Sequence, residues 1–350
     1  MKIGITKLIP ENIAPDNAKS LEIYDGETKV GTVDISKIQP ELGTPNYTFC
    51  ALSDTHLTYE TANADFQRAL TYAESNCDFT CIAGDLVSAG TESEMQTYKN
   101  IVDTYAPTKP VYSIAGNHEN YSTRSYAFLE RYTGQPLYYS FTKGNDVFIM
   151  LGHYGGYAGD GIGWLSAEML SAEELQWLYE TLEENRNKRC FVFTHVLPRE
   201  HGVGNPNGLY TSALIWYVND GGLGQAFVSL LQHYKNTILF HGHSHTQLHL
   251  QEIDPKANYS DANGYKSIHI PSLSVPRDLA ESGTALENVY AESEGYIVDV
   301  YDDCIVLNGR DFIDNEADGH ILPIATYRID TTLQTIPAKT FTDSTGIITV

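Results

Sequence analysis

The sequence predicts a layered α/β domain in which helices cover a sheet. Three observations carry this expectation. Short apolar runs recur from Tyr47 onward. Segments with helical periodicity lie between several of them. Most of the runs stop abruptly on an Asp, Asn or His.

Taken in order, residues 20–36 (SLEIYDGETKVGTVDIS) alternate like a hairpin around Asp25-Gly26. Pro40, Gly43 and Pro45 then mark a linker, so 1–46 reads as a small β appendage. Strands are expected in YTFCALSD (47–54), DFTCIAGD (78–85), KPVYSIAGN (109–117), DVFIMLGH (146–153), RCFVFTH (189–195) and TILFHGH (237–243). Helices are expected over Ala64–Ser75, Glu92–Tyr105 and Ala172–Asn185. The last opens with Ser171 and Glu174 at capping-box spacing and sets Leu175, Leu178, Tyr179 and Leu182 on one face. Beyond 265–274, residues 295–309 read as a hairpin turning near Asp302-Asp303. Residues 311–350 form a polar, β-rich extension that could pack beside the N-terminal hairpin. Two long Gly- and aromatic-rich segments, 154–170 and 197–224, fit neither pattern and read as functional loops.

Bulk properties narrow the function. The 350 residues allow one large domain or two ordinary ones. A formal net charge of −23 repels phosphate backbones, so nucleic acid is not expected as a partner. A small phosphate ester remains compatible, because bound metal inverts the local field. No apolar run suits a membrane span, and MKIGITKLIPEN lacks a signal-like apolar core. The cysteines are odd in number, and Cys50, Cys81 and Cys190 sit in apolar runs. Reduced, buried thiols and a cytoplasmic setting are therefore expected. Cys77 and Cys81 could pair on a metal, but no second pair completes a zinc knuckle.

The strand ends carry the chemistry. In open α/β sheets, ligands bind at the carboxyl ends of strands. Here those ends deliver Asp54, His56, Asp85, Asn117, His195, His243 and His245. Imidazole with carboxylate suits Mn, Fe or Zn. The set is too large for one tetrahedral site but suffices for two ions sharing a carboxylate. Asp85 is the natural bridge, because the sharp turn at Gly84 permits close backbone approach. Two such ions would clamp an in-line phosphoryl displacement and supply a hydroxide nucleophile.

SDTH, GD, GNHE, a lone strand-end His and GHSH, in this order, resemble the calcineurin-like metallophosphoesterase superfamily over residues 47–310. The resemblance implies a four-layer α/β/β/α sandwich of two mixed sheets. It implies one metal on Asp54, His56, Asp85 and His245, and a second on Asp85, Asn117, His195 and His243. It also implies that His118 contacts the phosphoryl oxygens and protonates the leaving group, with Asn117 beside it at the substrate. The departures separate subgroups. Ser88 stands where Ser/Thr protein phosphatases carry an Asp that orients the GNHE histidine, and Ala89 where they carry a phosphate-gripping Arg. Purple acid phosphatases place a metal-binding Tyr at the Ser88 position. The chain looks more like the bacterial cyclic-nucleotide phosphodiesterase-like branch.

Other residues carry two readings each. His241 could support the ligands or simply pack on its strand. His249 and His269 read as ordinary strand residues, and His153 could enter the pocket. Arg199, His201 and Arg277 are candidates for substrate phosphate. Trp164, Tyr210, Trp216 and Tyr217 could line an aryl or base pocket, or anchor the Gly-rich loops. The acidic stretch 311–320 does not match an EF-hand loop and reads as solvated. The favoured function is a dinuclear hydrolase of a phosphate mono- or diester. The alternative is a non-catalytic scaffold or binding module of the same fold, disfavoured because the ligand set is complete. A structural zinc site fails on ligand type, being normally closed and Cys-rich.

Overall fold

The computed structural model describes residues 20–25, 28–34, 42–58, 61–122, 126–152, 170–197, 222–252, 256–279, 286–288, 292–313 and 320–338. Strands β1 (Ser20–Asp25) and β2 (Thr28–Asp34) pair antiparallel on either side of the expected turn, which itself lies outside the described residues. The chain then runs β3 (Tyr47–Leu52), α1 (Ala62–Asn76), β4 (Phe79–Ile82), α2 (Glu92–Tyr105), β5 (Val111–Ser113) and α3 (Ala127–Thr133). Next come β6 (Tyr138–Lys143), β7 (Asp146–Leu151), α4 (Ala172–Glu184), β8 (Cys190–Thr194), α5 (Gly222–His233) and β9 (Thr237–His241). It finishes with β10 (Tyr259–Ser260), β11 (Lys266–His269), β12 (Arg277–Leu279), β13 (Leu286–Asn288), β14 (Glu294–Val300), β15 (Cys304–Asp311) and β16 (His320–Asp330).

Two six-stranded mixed sheets result, ordered β16-β15-β14-β3-β4-β5 and β10-β11-β9-β8-β7-β6. Alternation along the strands explains the layering. On β3, Phe49 and Ala51 join the core between the sheets, while Cys50 and Leu52 pack with α1 and α2 residues such as Phe66 and Met95. On β7, Phe148 and Met150 face the central core, whereas Val147, Ile149 and Leu151 pack with Leu178 of α4 and Phe227 of α5. Central strands buried on both faces read as near-continuous apolar runs. The order of layers is helices, sheet, sheet, helices, as expected. Phe49 anchors the centre, stacked on Phe79 (5.4 Å, 9°) and edge-on to Phe148 (5.3 Å, 89°). Burying each such ring contributes about 1.5–3 kcal/mol.

The end of the sandwich formed by the starts of β3, β7 and β8 is tied by a buried polar knot. Arg189 Nη2 and Tyr47 OH both donate to Asp146 Oδ2 at 2.6 Å. Arg189 Nη1 donates to the Tyr301 carbonyl (2.8 Å) and to Thr331 Oγ1 (2.7 Å). The knot joins the two sheets at the end away from the strand termini that carry the candidate ligands.

Several local expectations need correction. Ser171 caps α4 by accepting the Glu174 N–H at 3.0 Å, but the Glu174 carboxylate makes no return hydrogen bond, so that capping box is only half formed. The complete box belongs to α2, where Thr91 and Glu94 bond reciprocally. His249 is not a strand residue. It lies in a 3₁₀ turn, Leu248–Glu252, with Nε2 3.0 Å from Asp278 Oδ1. β16 falls in the C-terminal stretch and pairs with β15, within the main sheet. His269 sits on β11, and all five cysteines are buried free thiols. No described helix is long and apolar enough to cross a membrane.

Candidate metal centre

The parallel strands β3, β4, β5, β8 and β9 each end just before a candidate ligand. Ligand atoms of Asp54, His56, Asp85 and His245 all lie within 4.8 Å of one another, as do those of Asp85, His195 and His243. Asp85 belongs to both sets, as its predicted bridging role requires. Asn117 follows β5, and the next residue ties it to the centre: the His118 N–H donates to Asp85 Oδ1 at 2.9 Å. Asn117 Oδ1 is buried without a hydrogen-bond partner.

The backbone is bent to achieve this convergence. Among the described residues, the non-glycine residues with positive φ are Asp54 (51°), His56 (40°), Thr58 (74°), Asp85 (52°), His243 (72°) and His245 (64°). Left-handed backbone at such residues costs on the order of 1–3 kcal/mol each and persists only where surroundings enforce it. Those surroundings are visible. The Asp54 N–H donates to the Gly84 carbonyl and the His56 N–H to the Asp85 carbonyl, both at 3.0 Å. Ser88 Oγ donates to the carbonyls of His56 (2.8 Å) and Leu57 (3.1 Å). The Glu119 carboxylate accepts the N–H groups of Asp85 (3.1 Å), Val87 (3.1 Å) and Gly116 (2.6 Å).

Two glycines make room. Gly84 has φ +89°, and a Cβ there would lie 2.9 Å from His195 Cβ. Gly242 is not among the positive-φ glycines. Its function is clearance: a Cβ would collide with Ser53 Oγ and lie 2.5 Å from Asp54 Oδ2.

Hydrogen bonding sets the tautomers. A carbonyl oxygen only accepts, so His195 Nδ1 donates to Ala83 O (2.7 Å) and His245 Nδ1 donates to Val275 O (2.9 Å). In the neutral imidazoles each Nε2 is then a lone pair. His245 Nε2 faces Asp54 Oδ1 at 2.9 Å, and His195 Nε2 faces Asp85 Oδ2 at 3.1 Å. Acceptors opposed at such distances repel unless a proton or metal ion lies between them. Asp54 Oδ1 has no aligned hydrogen bond and is fully buried. The donor set therefore fits divalent metal, with backbone carbonyls orienting two of the imidazoles from behind.

The electrostatics agree. Burial would raise Asp54 and Asp85, but adjacent imidazoles, His245 and His195 for Asp54 and His195 and His118 for Asp85, hold both carboxyls well below the usual range. Burial lowers His56, His243 and His245, favouring the neutral, ligating imidazole. His195 moves the other way. Burial opposes its protonation, but Asp85 and Asp54 push it up to about 9, reflecting the negative potential at this point.

His118 is placed differently. Its side chain is 26% exposed, against 0–7% for the Asp and His ligand candidates. Its Nδ1 donates to the Ser88 carbonyl at 2.5 Å, leaving Nε2 3.8 Å from Asp85 Oδ2. Ser88 thus supplies through its main chain what the missing Asp would supply through a side chain. Nothing in the sequence marks that carbonyl. Nor did the sequence assign a task to Glu119, although it belongs to the GNHE motif.

The other candidates divide. His241 belongs to neither ligand set. It is buried on β9 with its ring 5.7 Å from that of His269, and burial lowers it to about 3. Half-buried Arg277 gives its N–H to the His245 carbonyl (2.8 Å) and its Nε–H to Asn288 (3.2 Å). His153, Trp164, Arg199, His201, Tyr210, Trp216 and Tyr217 lie outside the described residues, as does most of the acidic stretch 311–320.

Residues 47–247 match the family described as calcineurin-like phosphoesterase. The chain belongs to this family. Among solved structures, this chain is similar in fold to purple acid phosphatase PPD1 from yellow lupin (Lupinus luteus) seeds, with TM-score 0.55 and 14% identity. That likeness covers 85% of this chain and 58% of the lupin protein, so this chain spans under two thirds of its length. It is also similar to GAP50, the anchor in the inner membrane complex of Plasmodium, with TM-score 0.51 and 10% identity over 83% of this chain and 89% of that one. At such identities the likeness concerns the fold. No curated protein matches the chain in sequence.

Proposed function

We propose that this phosphoesterase hydrolyses a phosphate mono- or diester at a two-metal centre. The observation that carries the reading is Asp85, a single carboxylate common to two converging ligand sets. Asp54, His56, Asp85 and His245 would hold one ion, and Asp85, Asn117, His195 and His243 the other. Ions of the Mn, Fe or Zn type would activate water near neutral pH and neutralise charge on the phosphoryl group.

The protein's own groups supply the rest. Asp54 and Asp85 are almost fully buried, so their charges act where water screens them little. His118, fixed through Nδ1 and partly exposed, keeps Nε2 3.8 Å from Asp85 Oδ2, where the protonated imidazole can give a proton to the departing oxygen. Asn117 and His118 would face the substrate, with half-buried Arg277 beside His245 as a candidate cation for the phosphate. The net charge of −23 favours a small ester over nucleic acid. Ser88 and Ala89 favour the cyclic-nucleotide phosphodiesterase-like branch over the protein phosphatases. The second reading, a non-catalytic scaffold, has the fold likeness to the GAP50 anchor behind it. The complete ligand set speaks against it.

The test is metal content together with hydrolysis of aryl phosphate mono- and diesters with Mn added, for wild type and Asp85→Asn. About two ions per chain and a collapse of activity in the variant are expected. Full activity without metal would sink the metal-dependent mechanism. A loaded protein inert on every ester would favour the scaffold.

A further inference from the structure

Tyr121 carries no motif, yet it touches two groups of the proposed centre. It closes the 3₁₀ turn His118–Asn120, its N–H donating to the His118 carbonyl at 3.1 Å. Asn117 and Tyr121 are four residues apart in helical backbone, so their side chains share one side. Asn117 Nδ2 donates to Tyr121 OH at 2.8 Å. A carboxamide has a donor end and an acceptor end. With the donor end held, Oδ1 must face the other way, and that oxygen is buried without a partner. The Tyr121 ring also leans on the His118 imidazole, with centroids 4.3 Å apart and planes at 35°. It remains 37% exposed.

We propose that Tyr121 is a positioning residue: its hydroxyl, by accepting the Asn117 Nδ2–H, holds the amide so that Oδ1 is presented to the second metal, and its ring limits the swing of His118. This rests on the two-metal reading. Tyr121→Phe keeps the ring but removes the hydroxyl, so the amide can flip and offer an NH₂ group, which has no available lone pair, to the ion.

The experiment is calorimetric titration of metal-free protein with Mn²⁺, wild type against Tyr121→Phe, with melting of the metal-free forms in parallel. Wild type should bind two ions. The variant should bind one with unchanged affinity and the other about 10–100-fold more weakly, at an unchanged melting temperature. Restoring the acceptor with Tyr121→Gln should recover part of the loss. Two ions bound by Tyr121→Phe with wild-type affinities would overturn this inference alone. A melting temperature that falls while both affinities fall together would overturn it in favour of a structural role. A wild type that binds no second ion would overturn the two-metal reading and this inference with it.

Discussion

The Ser88 carbonyl oxygen accepts the Nδ1–H of His118 at 2.5 Å, while the Ser88 hydroxyl points away to the carbonyls of His56 and Leu57. Because the orienting group is main chain, no side-chain change at this position removes it. Ser88→Ala should therefore lower kcat by no more than about tenfold, the cost of its lost hydroxyl bonds. His118→Ala should lower kcat by about 10²–10⁴-fold, the usual contribution of a positioned acid. Metal content should match wild type in both. A Ser88→Ala protein as inactive as His118→Ala would refute the backbone assignment.

Gly242 leads to a second prediction. Asp54 Oδ2 accepts Ser53 Oγ–H at 2.6 Å and the His243 N–H at 2.9 Å, directly against the glycine. Gly242→Ala would push its methyl group into this pair. Overpacking should cost about 1–3 kcal/mol of stability. Displacement of Asp54 should weaken the metal held with His56, Asp85 and His245 by about 10–100-fold. Metal titration of the purified variant checks this, and wild-type affinity would show that Asp54 does not need the clearance.

These two sites mark the limit of what was legible in the sequence. Asp54, Asp85 and His243 were visible because each ends an apolar run, and strand ends at one sheet edge converge by topology alone. Helices α1, α2 and α4 were legible within two residues per end from periodicity and capping residues. What was not legible depends on contacts between distant segments. No local pattern announces that Glu119 gathers the N–H groups of Asp85, Val87 and Gly116, or that five ligand residues adopt left-handed backbone. His249 was misread because a polar residue shortly after a strand suits another strand and a 3₁₀ turn equally well. The S-x-x-E spacing at 171–174 could not reveal whether the carboxylate would turn back.

Far from the ligands, the Asp146–Arg189 pair, with side chains only 9% and 5% exposed, sits on one sheet and bonds across to Tyr47, Tyr301 and Thr331 on the side of the other. Removing one partner leaves the other charge buried and uncompensated. Asp146→Ala should destabilise the fold by about 3–5 kcal/mol, measured by urea unfolding. The folded fraction should keep the metal stoichiometry of the wild type, because the knot lies at the opposite end of the sandwich. Loss of metal at low urea would contradict that separation.

Glu174 sets a pH dependence. Its carboxylate is fully buried, neither oxygen has a hydrogen-bond partner among the described residues, and burial raises it well above 4.5. The folded state therefore binds this proton more tightly than the unfolded chain does. The associated stability is fully present below the unfolded value of 4.5 and is lost as pH rises through the folded value. Glu174→Gln stays neutral throughout and loses nothing. Unfolding free energies of the metal-free proteins should be similar near pH 4, with the wild type falling progressively behind Glu174→Gln toward neutral pH. A difference that does not change with pH would mean that Glu174 is ionised in the folded protein and held by a partner.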